Sequence, residues 1–300
     1  MLHMKWFRKN LVTIILVGIM IVGTGLIAYP SFSDYWNSFT QSRIVMEYAE
    51  NIANMDREEY KKIISSAEQY NSNLHSKSNR WAMTADEEAA YNAELNIDGN
   101  GNMGYITIPK IDQKLPVYHG TSDNVLSSSI GHLEGTSLPV GGAGTHCVLS
   151  GHRGLPSARL FTDLDKMKEG DTFTLTILNE MLTYEVDQIR IIEPSDYSQL
   201  QIDEAGDYCT LMTCTPYGIN TQRLLVRGRR IDNPNGEAQV IADAIQIEAS
   251  YVAPFIAVPM VFVLLLWMFL AERARRQDRM LVERTRESLN LSKHSDISEK

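Results

Sequence analysis

A mainly β protein built around a closed or nearly closed barrel is the fold that this 300-residue sequence predicts. Two observations carry the expectation. Seven segments between residues 103 and 231 are short, rich in β-branched and aromatic residues, and separated by polar or glycine-rich turns. Nothing in that stretch alternates strand with long crossover helix, which disfavours a doubly wound parallel sheet. Composition agrees, since 44% hydrophobic and 22% charged residues fall within globular bounds. The three cysteines are too few to replace a packed core.

The chain opens with Lys5, Arg8 and Lys9 in a cytoplasmic N-terminus, residues 1–10. Residues 11–28, LVTIILVGIMIVGTGLIA, carry no charge and are just long enough to cross a bilayer core of about 30 Å. A cleaved signal peptide shares this pattern, but no small-x-small cleavage site follows, which favours an uncleaved signal-anchor. A second apolar block, residues 251–271, is followed by Arg273, Arg275, Arg276 and Arg279. Basic residues flank the outer end of each block, so the expectation is two transmembrane helices with both termini cytoplasmic and everything between outside. Residues 272–300 form the polar cytoplasmic tail, and residues 233–250 form a linker.

The formal charge is -9, yet residues 29–250 alone carry 17 basic and 31 acidic residues. That balance excludes a phosphate-tracking surface, so no nucleic-acid partner is expected. Residues 29–95 read as a helical N-terminal region. Ile44, Tyr48, Ile52, Met55, Tyr60, Ile63 and Ile64 recur at spacings that make one or two amphipathic helices over residues 34–73. Thr84 and Glu87 fit a capping box before a further helical stretch. After the turn Asp98-Gly99-Asn100-Gly101-Asn102 the barrel, residues 96–232, takes over. Its strands begin near Met103, Lys114, Thr145, Thr172, Met181, Tyr208 and Arg223, with short helical inserts at 122–128 and 157–167.

Three residues of this barrel suit covalent chemistry. Cys214 ends a strand-like run and faces the loop Thr215-Pro216-Tyr217-Gly218, although a lone cysteine is more often a small buried hydrophobe. His152 follows the apolar strand THCVLS and opens the loop His152-Arg153-Gly154, where an imidazole can carry protons for a thiol. Arg223 starts the strand after the Cys214 loop. If that loop reverses the chain, its guanidinium returns towards the sulfur and can hold a developing oxyanion. Arg227 and Arg229 share its strand face but lie about 13 Å and 20 Å further along, on the barrel surface.

The stretches TLMTCTPYGINTQRLLVRGRR, THCVLSGHRGLPSARLFTDLDKMKEGD and MGYITIPKI resemble the sortases of Gram-positive bacteria, most closely the class C, pilin-polymerising type. The resemblance covers about residues 96–231. It implies a sortase-type β-barrel whose nucleophile, general acid/base and oxyanion-stabilising group are Cys214, His152 and Arg223. It further implies cleavage of an LPXTG-like sorting signal between Thr and Gly through a thioester, and transfer to a pilin lysine with no metal or organic cofactor. Transfer of surface proteins to a cell-wall precursor amine, and an inactive membrane-tethered scaffold, are the alternatives.

The sequence departs from that family in three places. Class C sortases cover their cleft with a lid bearing an Asp-Pro-aromatic motif, and no proline occurs between Pro30 and Pro109. Asn79-Arg80-Trp81 stands in its place, with Trp81 either plugging the cleft or packing elsewhere. Gln222 occupies a position where many relatives have histidine. Cys147 and Cys209 each lie an odd five residues before a candidate catalytic residue, on the opposite strand face, either as buried thiols or as a disulfide.

Overall fold

The computed structural model describes residues 2–77 and 79–233, together with the isolated positions 262, 263, 266, 267, 270, 273 and 280. The second apolar block therefore lies largely outside the described residues. Two compact units are formed, one of Met1–Ala28 with Gln246–Lys300 and the other of Tyr29–Ile245.

The barrel is accompanied by the helices α1 (Leu2–Ala53), α2 (Arg57–His75), α3 (Ala85–Ala93) and the single turn α4 (Asp123–Leu126). The anchor and the first amphipathic stretch are one helix, because α1 runs through Pro30. Asn10–Ala53 is long and apolar enough to cross a membrane by length and composition, with mean hydropathy 2.6 in its most apolar window. The helix ends before Asp56, and α2 follows at once. The capping box forms as the sequence predicts, with the Glu87 amide donating to Thr84 Oγ1 and the Thr84 amide donating to the Glu87 carboxylate.

Eight strands close the barrel: β1 (Asn102–Ile108), β2 (Gln113–His119), β3 (Ile130–His132), β4 (Thr145–Ser150), β5 (Thr172–Ile177), β6 (Glu180–Ile192), β7 (Asp207–Thr215) and β8 (Gln222–Ile231). Their order around the barrel is β1-β2-β3-β4-β7-β8-β6-β5, with β5 returning to β1. Strand β3 escapes sequence reading because three residues are too few to show an alternation. The insert expected at 157–167 is mostly loop, with one 3-10 turn at Leu164–Lys166. Leu160, at φ +39°, turns the chain out of helical geometry there.

Alternation along the strands fills the barrel. Phe173, Leu175 and Ile177 of β5, Cys209 and Leu211 of β7, and Leu224 and Val226 of β8 are all buried in one core. Gly228 belongs to this inward set by necessity, since a Cβ there would lie 2.7 Å from the Phe173 ring, which stacks on Tyr184. The helices bind the barrel through buried polar groups. The Tyr48 hydroxyl of α1 donates to the Met103 carbonyl and accepts from the Leu178 amide, and Asn71 of α2 exchanges two hydrogen bonds with the Leu138 backbone. Each removes a donor and an acceptor from the list of groups that burial would otherwise penalise.

Candidate active site

Antiparallel pairing of β7 with β8 makes Arg223 the direct cross-strand partner of Cys214. Such partners have Cβ atoms about 4.5–5.5 Å apart on the same face. That face is the outer one, because the neighbours Thr213 and Leu224 are turned inward and buried. Sequence spacing suggests the pairing and the register of the hairpin delivers it. The Arg223 Nη1 donates to the Gln222 carbonyl at 3.2 Å and to that of Asn220 at 3.5 Å, so the guanidinium rests on its own loop. Gln222 donates to Glu193.

The histidine arrives by a different route. Strand β4 runs parallel to β7, in register from Thr145 opposite Asp207 to Ser150 opposite Met212. Hydrogen bonding carries that register past the strand end. The Gly151 amide donates to the Met212 carbonyl at 3.0 Å, and Thr213 Oγ1 donates to the Gly151 carbonyl at 2.7 Å. Continued one residue further, that register would set His152, on the loop just beyond β4, level with Cys214. The Phe161 amide then donates to the His152 carbonyl and holds the turn. Cys214 and Arg223 are thus paired at one end of the β7–β8 hairpin, on the outside of the barrel, and His152 lies on the loop that follows β4, the strand beside β7.

Trp81 packs on the same outer surface, against a cluster of Val148, Leu200 and Leu225 that also receives Met212. Met212 lies two residues before Cys214 and Leu225 two residues after Arg223, so the indole packs on the same outer face of β7 and β8 that carries Cys214 and Arg223. Its ring sits 4.7 Å from that of Tyr197, and the Arg80 guanidinium lies 4.3 Å above it. Arg80 itself is buried and donates to the carbonyls of Gly135 and Leu200 and to the Gln201 side chain. Sequence reading passed over Arg80, since nothing in Asn79-Arg80-Trp81 distinguishes a buried arginine from a solvated one. Arg227 is likewise more engaged than expected. It forms a two-pronged pair with Asp187, which sits at a bulge of β6, and lies over the Tyr208 ring.

Further down the groove, buried His146 bridges the Gln201 carbonyl and Thr210 Oγ1. The carbonyl can only accept, so Nδ1 carries the proton and Nε2 accepts from the hydroxyl. Burial lowers its pKa to about 4 from an ordinary 6.5. Between those values the unfolded chain binds a proton that the folded chain refuses, so stability present above pH 6.5 is lost as pH falls, by about 3 kcal/mol in all. Denaturation midpoints are expected to drop between pH 6.5 and 4, and His146→Gln is expected to flatten that slope. Equal slopes in parent and variant would remove His146 from this role.

Cys147 and Cys209 are free, buried, and opposite one another across β4 and β7. Among the described residues, no group of three or more His, Cys, Asp or Glu side chains is arranged to hold a metal. A cavity of about 630 Å³ lined by Glu180, Asp207, Arg230 and Asp232 opens elsewhere. Asp207 begins the strand that ends near Cys214, about 23 Å away at 3.3 Å per residue, so this cavity is separate from the site.

A half-buried thiol near a strand end, paired with a guanidinium across the hairpin and with an imidazole on the loop after the neighbouring strand, suits a cysteine-dependent acyl-transfer enzyme. Comparison with known proteins makes the class specific. A family model described as "Sortase domain" matches residues 106–231. The solved structure of sortase C1 from Streptococcus agalactiae is 59% identical, with a TM-score of 0.62, and the match covers 64% of this chain and 99% of that one. Sortase C from Clostridium perfringens, solved with the C-terminal cell wall sorting motif, is 46% identical with a TM-score of 0.57, covering 64% and 99%. Sortase D of Bacillus subtilis is 28% identical over 131 residues, which span 43% of this chain and 63% of that relative, less than two thirds of its length. The chain belongs to the sortase family of cysteine transpeptidases, and class C members are among its strong structural matches.

Proposed function

We propose that this protein is a membrane-anchored pilin-polymerising sortase in which Cys214 is the nucleophile, His152 the general acid and base, and Arg223 the oxyanion-stabilising group. The observation that supports the reading is the pairing of Cys214 with Arg223 across β7 and β8, beside the end of β4 from which the His152 loop departs. The thiolate of Cys214 attacks the Thr carbonyl carbon of an LPXTG-like signal, and the negative charge moves onto the carbonyl oxygen, where Arg223 meets it. The Thr–Gly C–N bond then breaks, His152 gives its proton to the departing glycine amine, and a thioester remains. A lysine amine of the next pilin attacks the thioester, returns a proton to His152, and releases the sulfur. Dividing amide exchange this way retains the acyl group's reactivity without a metal or organic cofactor.

The anchor fits this setting. Exposed Tyr29, Phe32 and Trp36 follow the apolar run of α1, as aromatic residues do at a bilayer interface. Basic residues outside both apolar blocks orient the termini inward and the barrel outward. The test uses the full chain in detergent micelles, incubated with LPXTG-type peptides and followed by intact mass. A peptide adduct on Cys214 that is released by a lysine-bearing pilin segment supports the reading. Release only by a cell-wall precursor amine overturns pilin polymerisation, and the absence of any adduct overturns the transpeptidase.

Trp81 acts as the lid of this groove, fastened by Arg80 and Tyr197 where relatives use an Asp-Pro-aromatic motif. Its removal forfeits a ring stack and a cation–π contact worth about 1.4 kcal/mol together. Trp81→Ala is therefore expected to speed alkylation of Cys214 by a bulky reagent about tenfold. Unchanged alkylation would show that the indole does not restrict the cleft.

A further inference from the structure

His152 and Cys214 each stand where a strand gives way to a loop, and loops move more than the sheet that carries them. A chemical pair placed in this way needs something to hold one loop against the other. Residues 153 and 154, next to His152, make that contact. Gly154 lies at φ +75°, and a Cβ there would fall 2.8 Å from the ring of Tyr217 in the β7–β8 loop, so the backbone of one loop rests on the aromatic face of the other. The Gly154 amide donates to Thr162 Oγ1, which ties the turn to a later part of the same loop.

Arg153 fills the seam. Its side chain is only 9% exposed although it projects from a loop, and it forms an ion pair with Asp165 through Nη2. Its guanidinium carbon lies 5.7 Å from the centroid of the Tyr217 ring. Its Nε is buried with no hydrogen-bond partner among the described residues. A donor left unpaired in this way is a cost that the surrounding structure must offset. Arginine alone combines a planar face for stacking with a fork for a carboxylate, so lysine at this position would keep the charge and lose the stack.

We propose that Arg153 is a positioning residue: the stack of Asp165, Arg153 and Tyr217 locks the His152 loop to the Cys214 loop and keeps the imidazole level with the thiol. The inference rests on the proposed roles of Cys214 and His152. Arg153 does not touch the reacting atoms, so its loss acts on the relative placement of two groups that must exchange a proton during each half-reaction. Misplacement by about 1 Å costs on the order of 100-fold in rate.

The test compares full-length parent, Arg153→Ala, Arg153→Lys, Tyr217→Ala, Tyr217→Phe and the double alanine variant, measuring peptide transfer and Cys214 alkylation. Arg153→Ala and Tyr217→Ala are each expected to lower kcat by about 10- to 100-fold with KM within about twofold, following the same misplacement scale. The double variant should fall no further than the worse single one, because both remove one contact. Tyr217→Phe, which keeps the ring face, should restore the rate, and Arg153→Lys should not. Alkylation of Cys214 should proceed in every variant. Additive losses in the double variant, or a parental kcat in Tyr217→Ala, would overturn the lock; Tyr217 is exposed, so its truncation leaves the core intact even where Arg153→Ala fails to fold. A parent that alkylates at Cys214 but transfers no peptide would instead overturn the proposed function.

Discussion

Cys214→Ala is expected to abolish both the peptide adduct and turnover, with a loss of at least about 10⁴-fold, the scale on which removal of a covalent nucleophile acts in hydrolases. The expectation is sharp because the other thiols cannot substitute. Cys147 and Cys209 are almost completely buried in the barrel core, on the strand face opposite Cys214. Native alkylation should therefore modify one site in the parent and none in Cys214→Ala, while unfolding should expose two more. Cys214→Ser should keep the fold and also lose most activity, since a hydroxyl is far less ionised than a thiol and the neighbouring groups are set to serve a thiolate. An adduct that persists in Cys214→Ala would remove the assignment altogether, and mass spectrometry of the digested protein would show which side chain carried it.

Arg223→Ala is expected to cost about 10²–10³ in kcat, the usual effect of deleting an oxyanion donor, with little change in KM. Both half-reactions pass through a tetrahedral intermediate, so thioester formation and its release by amine should slow together. The geometry supports a mobile guanidinium. Its hydrogen bonds go to carbonyls of its own loop, at 3.2 and 3.5 Å, and the longer lies at the limit of a useful bond. Such contacts are easily exchanged for a developing oxyanion one residue pair away. Arg223→Lys should recover only part of the loss, because an ammonium is a point charge without the planar fork. Single-turnover measurements separate the steps, and a raised KM with unchanged kcat would reassign Arg223 to ground-state binding of the signal peptide.

Most of this barrel was legible in the sequence because its strands are long enough to display a period of two. Strands β1, β2 and β4 to β8 fall where β-branched and aromatic runs place them, and the Thr84 capping box forms as its spacing requires. Two elements were missed for identifiable reasons. β3 is three residues long and lies buried throughout, which leaves no alternation to read. The 157–167 insert has helical composition, yet Leu160 at positive φ and the Gly154–Thr162 hydrogen bond bend it into a loop over the site.

The candidate site divides in the same way. Residue type and spacing made Cys214, His152 and Arg223 candidates, and the resemblance to sortases gave them their roles; the pairing of Cys214 with Arg223 then follows from the β7–β8 hairpin. The identity of the supporting groups was out of reach. Arg80 beneath Trp81, and Arg153 between Asp165 and Tyr217, look in the sequence like solvated charges, and only burial distinguishes them. The placement of the His152 loop beside the end of β7 depends on the parallel register of β4 and β7, which are separated by more than fifty residues and pair only once the barrel closes. Local periodicity therefore determined the strands and the chemical groups, since it acts over a few residues. Tertiary structure alone decided which outer face forms the groove, what lies in it and what holds its loops, since those depend on contacts between segments far apart in the chain.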